Sequence, residues 1–167
     1  IQSWFKWLKE SNSWRAVHPP WLFGVLQTMH QMEGHNPAIE TLRKKLRADT
    51  TPIQRLDFGA GSQSHSETVG DVARNSLKRP RHAVALGNLS RSIQAEHILE
   101  LGTSLGLTTA YLANQSNTVT TCEGDPAIAA LAKAQWDALG LTNITLHEGR
   151  FSDTLPLLMA QWKKSNH

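Results

Sequence analysis

From residue 97 onward the chain alternates short β-branched stretches with helical ones, joined by brief links. Ile98 to Leu101 reads as a strand, Leu105 to Ala113 as a helix, and Thr118 to Cys122 as a second strand. Asp125-Pro126 caps and opens another helix, with Ile128, Leu131, Ala132 and Leu139 on its apolar face and Gly140 at its end. Asn143 to His147 is a third strand, and Ser152 to Trp162 a third helix. Strand–helix alternation with such short links predicts an α/β fold, a parallel sheet wound by helices.

The front of the chain carries a different pattern and reads as helical. Trp4, Trp7, Leu8 and Ser11 fall at helical spacing, and Pro19-Pro20 breaks the chain. Pro20 can open a helix through Trp21, Leu22, Val25, Leu26 and Met29. Asn36-Pro37 caps a further helix, with Ile39, Leu42 and Leu46 on one face and Arg43, Lys44 and Arg47 on the others. Thr51-Pro52 ends it, residues 59–68 read as a Gly/Ser/His-rich loop, and Arg79-Pro80-Arg81 is another break. Ala83 to Ile93 suggests one more helix. The expected organisation is a helical region over 1–92, on the cap or substrate side, and a wound-sheet region over 93–167.

Composition narrows the class. The chain has 167 residues, 40% apolar and 19% charged, which suits a soluble globular domain. No apolar run approaches the roughly 18 residues needed to cross a membrane. The single cysteine, Cys122, excludes an internal disulfide and a cysteine zinc cluster, and it reads as a small buried residue. A cytoplasmic protein is the simplest expectation. Residues 1–92 hold 13 Lys/Arg against 7 Asp/Glu, a net +6, while residues 93–167 hold 4 against 7, a net −3. A basic front half could meet RNA, but no run of five like charges supports that over a solvated surface. The chain starts at Ile1 and stops at His167 just after a helix, which reads as a fragment or truncated form.

Chemistry concentrates at Ile98-Leu99-Glu100-Leu101-Gly102-Thr103-Ser104-Leu105-Gly106-Leu107-Thr108, a strand running through a glycine turn into a helix. Gly102 permits a sharp bend and leaves no Cβ in a ligand's way. The helix start offers unpaired N–H groups to a negative group. Glu123 follows Gly102 by 21 residues, at the end of the next strand, where it could accept from a ribose diol. A dinucleotide fingerprint would place glycines where Ser104 and Leu107 stand. A pyrophosphate needs that close approach and a methionine carboxylate does not, so the spacing favours S-adenosylmethionine over NAD.

Glu100-Leu-Gly-Thr-Ser-Leu-Gly106 resembles motif I of class I S-adenosylmethionine-dependent methyltransferases, especially the catechol O-methyltransferase-like group. The likeness continues through Thr120-Thr-Cys-Glu-Gly124 and Glu148-Gly-Arg-Phe-Ser-Asp-Thr-Leu-Pro156. It implies a Rossmann-like fold, S-adenosylmethionine as cofactor with S-adenosylhomocysteine as product, and O-methyl transfer to an acceptor the sequence does not name. By position, Glu100, Gly102, Thr103 and Ser104 would face the methionine part, and Thr108 would offer its hydroxyl to the carboxylate. Glu123 would hold both ribose hydroxyls, and Phe151 and Ser152 would flank the adenine. Gly106, Gly124 and Gly149 complete that set. Arg150 departs from the small or acidic residue often found there. The resemblance also implies six or seven strands, so three leave an exposed sheet edge for more chain or a second copy to cover. In metal-dependent relatives an Asp after the fourth strand helps bind a divalent ion; no such residue and no catalytic base can be named here.

In the front half, Val17-His-Pro-Pro-Trp-Leu-Phe23 and Leu56-Asp-Phe-Gly-Ala-Gly-Ser62 resemble a bacterial methyltransferase group with an Asp-Phe-Gly-Ala-Gly-Ser signature. Asp57 to Gly61 imitates motif I, but Thr51 to Arg55 does not read as a buried strand and no acid-ending strand follows at the right distance. It is expected to be a turn. His18 and His65 are read as structural or substrate-side residues, His97 and His147 carry no assigned chemistry, and the tryptophans at 4, 7, 14 and 21 are read as helix packing. The rival reading is a non-catalytic nucleoside- or RNA-binding module.

Overall fold

The structure, a computed structural model, describes residues 19–31, 33–56, 64–114 and 117–165. Two helices open it, α1 (Pro20–His30) and α2 (Pro37–Ala48). A hairpin, β1 (Pro52–Leu56) and β2 (Ser64–Thr68), leads into α3 (Val69–Ser76) and α4 (Pro80–Ser92). The wound half follows as β3 (His97–Leu101), α5 (Leu107–Ala113), β4 (Thr118–Glu123), α6 (Pro126–Leu139), β5 (Ile144–Glu148) and α7 (Phe151–Ser165). β3, β4 and β5 pair in parallel in chain order, Leu101 opposite Cys122 and Glu123 opposite Glu148. The expected parallel sheet is present, with β3 at its edge.

Side-chain caps open α2 and α6. Asn36 accepts from Ala38 and Ile39 N–H, and Asp125 accepts from Ala127 and Ile128 N–H, each with a proline at the first turn. Gly140 ends α6 in the left-handed conformation, as its position predicted. The front region is not all helix, however. Residues 64–68, expected as loop, form β2, and residues 52–56 form β1. β2 is wholly polar and β1 offers only Ile53 and Leu56 beside its proline, so they carry little apolar alternation to reveal them. Tertiary charge pairing holds β1 instead: Arg55 reaches Glu67 Oε1 and Asp125 Oδ2, each at 2.8 Å. Helix α3 was also unexpected, although Thr68 and Asp71 form a reciprocal capping box. Pro80, expected as a break, opens α4.

One core runs through both regions. Ile39 and Leu46 from α2, Val69 and Val72 from α3, and Val84 from α4 pack with Leu107, Tyr111, Ile128, Ala132 and Trp136. Arg43, expected on a solvent face, is buried. Its Nε donates to Glu40 at 2.8 Å and its Nη1 to the Lys78 carbonyl at 2.6 Å, so the charge is satisfied in place. Trp21, expected to pack, is 69% exposed. Trp4, Trp7, Trp14, His18 and the segment from Asp57 to Ser62 lie outside the described residues.

Trp136 is the pivot of this core. Its indole N–H donates to the Gly106 carbonyl at 2.8 Å, and a Cβ on Gly106 would lie 2.6 Å from that indole nitrogen. Gly106 also sits at φ +75°, a region that L side chains adopt at a cost of roughly 1–2 kcal/mol. Adding overpacking of about 1–3 kcal/mol, Gly106→Ala should destabilise the chain by about 2–5 kcal/mol in urea unfolding. A loss below about 1 kcal/mol would show that Trp136 yields without cost.

Candidate functional site

The site lies where the β3 and β4 chains leave the sheet, at the carboxyl ends where wound sheets take ligands. Gly102 and Thr103 N–H both donate to the Cys122 carbonyl, at 3.0 and 3.3 Å, extending the ladder past the end of β3. The chain then bends sharply, with Gly102 at φ +89° and Ser104 at φ +51°. A Cβ on Gly102 would meet no atom within 4 Å, so this backbone faces open space that a ligand can approach closely. The helix expected from Leu105 starts only at Leu107, because Thr103 to Gly106 close a turn first.

Across the corner stands Glu123. Its Oε2 accepts from Ser104 N–H at 2.8 Å and its Oε1 from Asp125 N–H at 3.1 Å. The acid and the glycine corner are therefore adjacent, as the spacing predicted. Each carboxylate oxygen keeps a further lone pair, which suits a pair of neighbouring hydroxyls. Gly124 follows Glu123, and Gly149 lies beside it, its N–H donating to the Glu123 carbonyl at 2.9 Å. Phe151, 40% exposed, and Ser152 begin α7 two residues after Gly149. Gly102, Ser104, Glu123 and Gly149 thus lie together at the carboxyl ends of the strands.

Glu100 occupies a different position from Glu123. It is tucked inward, accepting from Thr109 Oγ1 at 2.5 Å and Thr121 Oγ1 at 2.9 Å. Thr121 also bonds Thr103 Oγ1 at 2.6 Å, so a threonine ladder ties the corner to both strands. Thr103 is buried by this arrangement and Thr108 half-buried beside it. Sequence reasoning missed Thr109, Thr121 and Trp136; only Trp136 left a signal, four residues after Ala132 on the apolar face of α6. It also missed the α3 end, where Ser76 Oγ lies 2.7 Å from Ser104 Oγ.

A cleft of about 480 Å³ opens along the β3 edge. Leu89, Ile93, Leu99 and Leu101 line its length, and Lys78, Glu100, Gly102 and Thr108 its tip end. Its size falls within the roughly 300–1,000 Å³ usual for small-molecule sites. His97 borders it too, whereas Cys122 is fully buried. Among the described residues, no group of three or more His, Cys, Asp or Glu could hold a metal ion. No described helix is long and apolar enough to cross a membrane.

Burial raises the Glu100 carboxyl above its ordinary value, against the lowering effects of the Thr109 and Thr121 bonds and the Lys78 charge. The folded chain then holds this proton to higher pH than the unfolded chain does. Stability from this group therefore falls as pH rises above the ordinary value of 4.5. In urea titrations, the stability of Glu100→Gln relative to wild type should improve as pH rises from 4.5 toward neutrality. A shift in the opposite direction would mean that the hydrogen bonds and Lys78 outweigh burial.

No protein-family model matches the chain. Among curated proteins, it is 33% identical over 135 residues to the protein-L-isoaspartate O-methyltransferase of Magnetococcus marinus, covering 81% of this chain and 50% of that one. It is 35% identical over 86 residues to the catechol O-methyltransferase of Niastella koreensis, covering 49% and 39%. The chain thus spans half or less of the length of these relatives. Among solved structures, cofactor-bound Rv0187 from MTB matches with a TM-score of 0.54 at 20% identity, over 84% of this chain and 56% of that one. The O-methyltransferase from Bacillus cereus in complex with SAH matches with a TM-score of 0.50 at 24% identity, over 52% and 41%. Three parallel strands in chain order, a glycine corner at their tips and these likenesses show that the chain has the Rossmann-like methyltransferase fold.

Proposed function

We propose that this chain carries the cofactor-binding part of an S-adenosylmethionine-dependent O-methyltransferase. The observation that carries the reading is the 2.8 Å contact between Ser104 N–H and Glu123, beside an open left-handed Gly102. That contact sets a backbone cradle against a carboxylate, as a nucleoside with an amino-acid tail requires. The names of the two curated relatives support O-methyl transfer, and the Bacillus cereus neighbour was solved with SAH.

In this reading Gly102, Thr103 and Ser104 present their backbone to the methionine part, with Thr108 beside its carboxylate. Glu100 acts from behind, as a support for the corner through Thr109 and Thr121. Glu123 and Gly124 take the ribose, and Gly149, Phe151 and Ser152 flank the adenine. Gly106 serves the same corner by packing on Trp136. When bound, the cofactor supplies a methyl group on a sulfonium, and the protein's task is to bring an acceptor in line with it.

Residues 1–92 would form the cap on the acceptor side and residues 93–167 the cofactor half. More chain or a second copy would cover the β3 edge, and the cytoplasm would be the site of action. We also assign the chain to the bacterial group with the Asp-Phe-Gly-Ala-Gly-Ser signature at residues 57–62.

Isothermal calorimetry with S-adenosylhomocysteine tests the reading. Glu123→Ala removes two charge-assisted hydrogen bonds to the ribose, so affinity should fall by more than about tenfold. Equal affinity in wild type and variant would refute the ribose assignment.

A further inference from the structure

Lys78 lies outside every segment that carries the methyltransferase resemblance, yet it lines the tip of the cleft with Glu100, Gly102 and Thr108. It sits in the link between α3 and α4, and that link is tied down at two points. Ser76 Oγ meets Ser104 Oγ at 2.7 Å, docking the end of α3 on the corner itself. The Lys78 carbonyl accepts from Arg43 Nη1 at 2.6 Å. Arg43 is in turn held by Glu40, whose other oxygen accepts from the Tyr111 hydroxyl at 2.8 Å. Tyr111 belongs to α5, the helix that follows the corner, so this chain of contacts fixes residue 78 relative to the site.

The Lys78 charge acts on Glu100 from a distance, without a direct ion pair. Glu100 turns inward to Thr109 and Thr121, and among the described residues no carboxylate forms an ion pair with Lys78. The Lys78 side chain is exposed and borders the same space as Thr108. A flexible cation at the strand tips, beside the open Gly102 corner, suits a ligand with one anionic end.

We propose that Lys78 is a cofactor-binding residue, its ammonium pairing with the carboxylate at the amino-acid end of an S-adenosyl ligand beside Thr108. The assignment rests on the cofactor reading above and adds to it a front-region residue that recognises the tail.

The test compares S-adenosylhomocysteine with 5′-methylthioadenosine, which keeps the nucleoside and sulfur but lacks the amino-acid tail. Calorimetry on wild type, Lys78→Met and Lys78→Arg should show about a tenfold or greater loss of S-adenosylhomocysteine affinity in Lys78→Met. Methylthioadenosine affinity should stay within about twofold, and Lys78→Arg should restore most of the loss. Unchanged S-adenosylhomocysteine binding in Lys78→Met, or an equal loss for both ligands, would overturn the lysine assignment alone. Wild type that binds neither ligand would overturn the cofactor reading, and this assignment with it.

Discussion

The Ser104 N–H reaches the Glu123 carboxylate because Ser104 occupies a left-handed backbone conformation that few side chains adopt unaided. That posture is held from three directions. Glu123 takes the amide, the Ser76 hydroxyl takes the side chain, and Trp136 draws in the Gly106 carbonyl two residues further on. A residue kept in a sparsely populated conformation needs surroundings that over-determine it, and the neighbouring elements supply them. The open face of Gly102 is what that scaffolding leaves free.

The front region is therefore more than an appendage to the sheet. Its helices share one apolar core with α5 and α6, and its polar contacts reach the site. Arg55 of β1 pairs with Asp125, the cap of α6, and Leu56 N–H donates to the same carboxylate at 3.0 Å. The Asp125 N–H is in turn one of the two that hold Glu123. A change in the hairpin can thus be felt at Glu123 through a single residue. Arg43 makes the parallel connection on the other side, from α5 to the residue 78 link.

Much of the site was legible because its parts are local. A strand, a glycine and an acid at the next strand's end are all set by short-range spacing, and the parallel pairing of β3 with β4 brings them together. The helix caps at Asn36, Asp125 and Gly140 were legible for the same reason, since a cap acts within four residues. The hairpin and the burial of Arg43 were not. Both rest on partners far along the chain, Glu67 and Asp125 for Arg55 and the Lys78 carbonyl for Arg43. A charge reads as solvent-facing until its partner is known.

By itself, then, the sequence determined the class of fold and where the glycine corner beside Glu123 lies. Hydrophobic period, strand composition and glycine position act between near neighbours and leave a readable trace. Only the tertiary structure decided which groups stand around that corner: Trp136 beneath it, Thr109 and Thr121 behind Glu100, and Ser76 and Lys78 beside it. These residues meet because separate elements pack into one core, and no local pattern encodes a contact whose two halves are folded together only at the end.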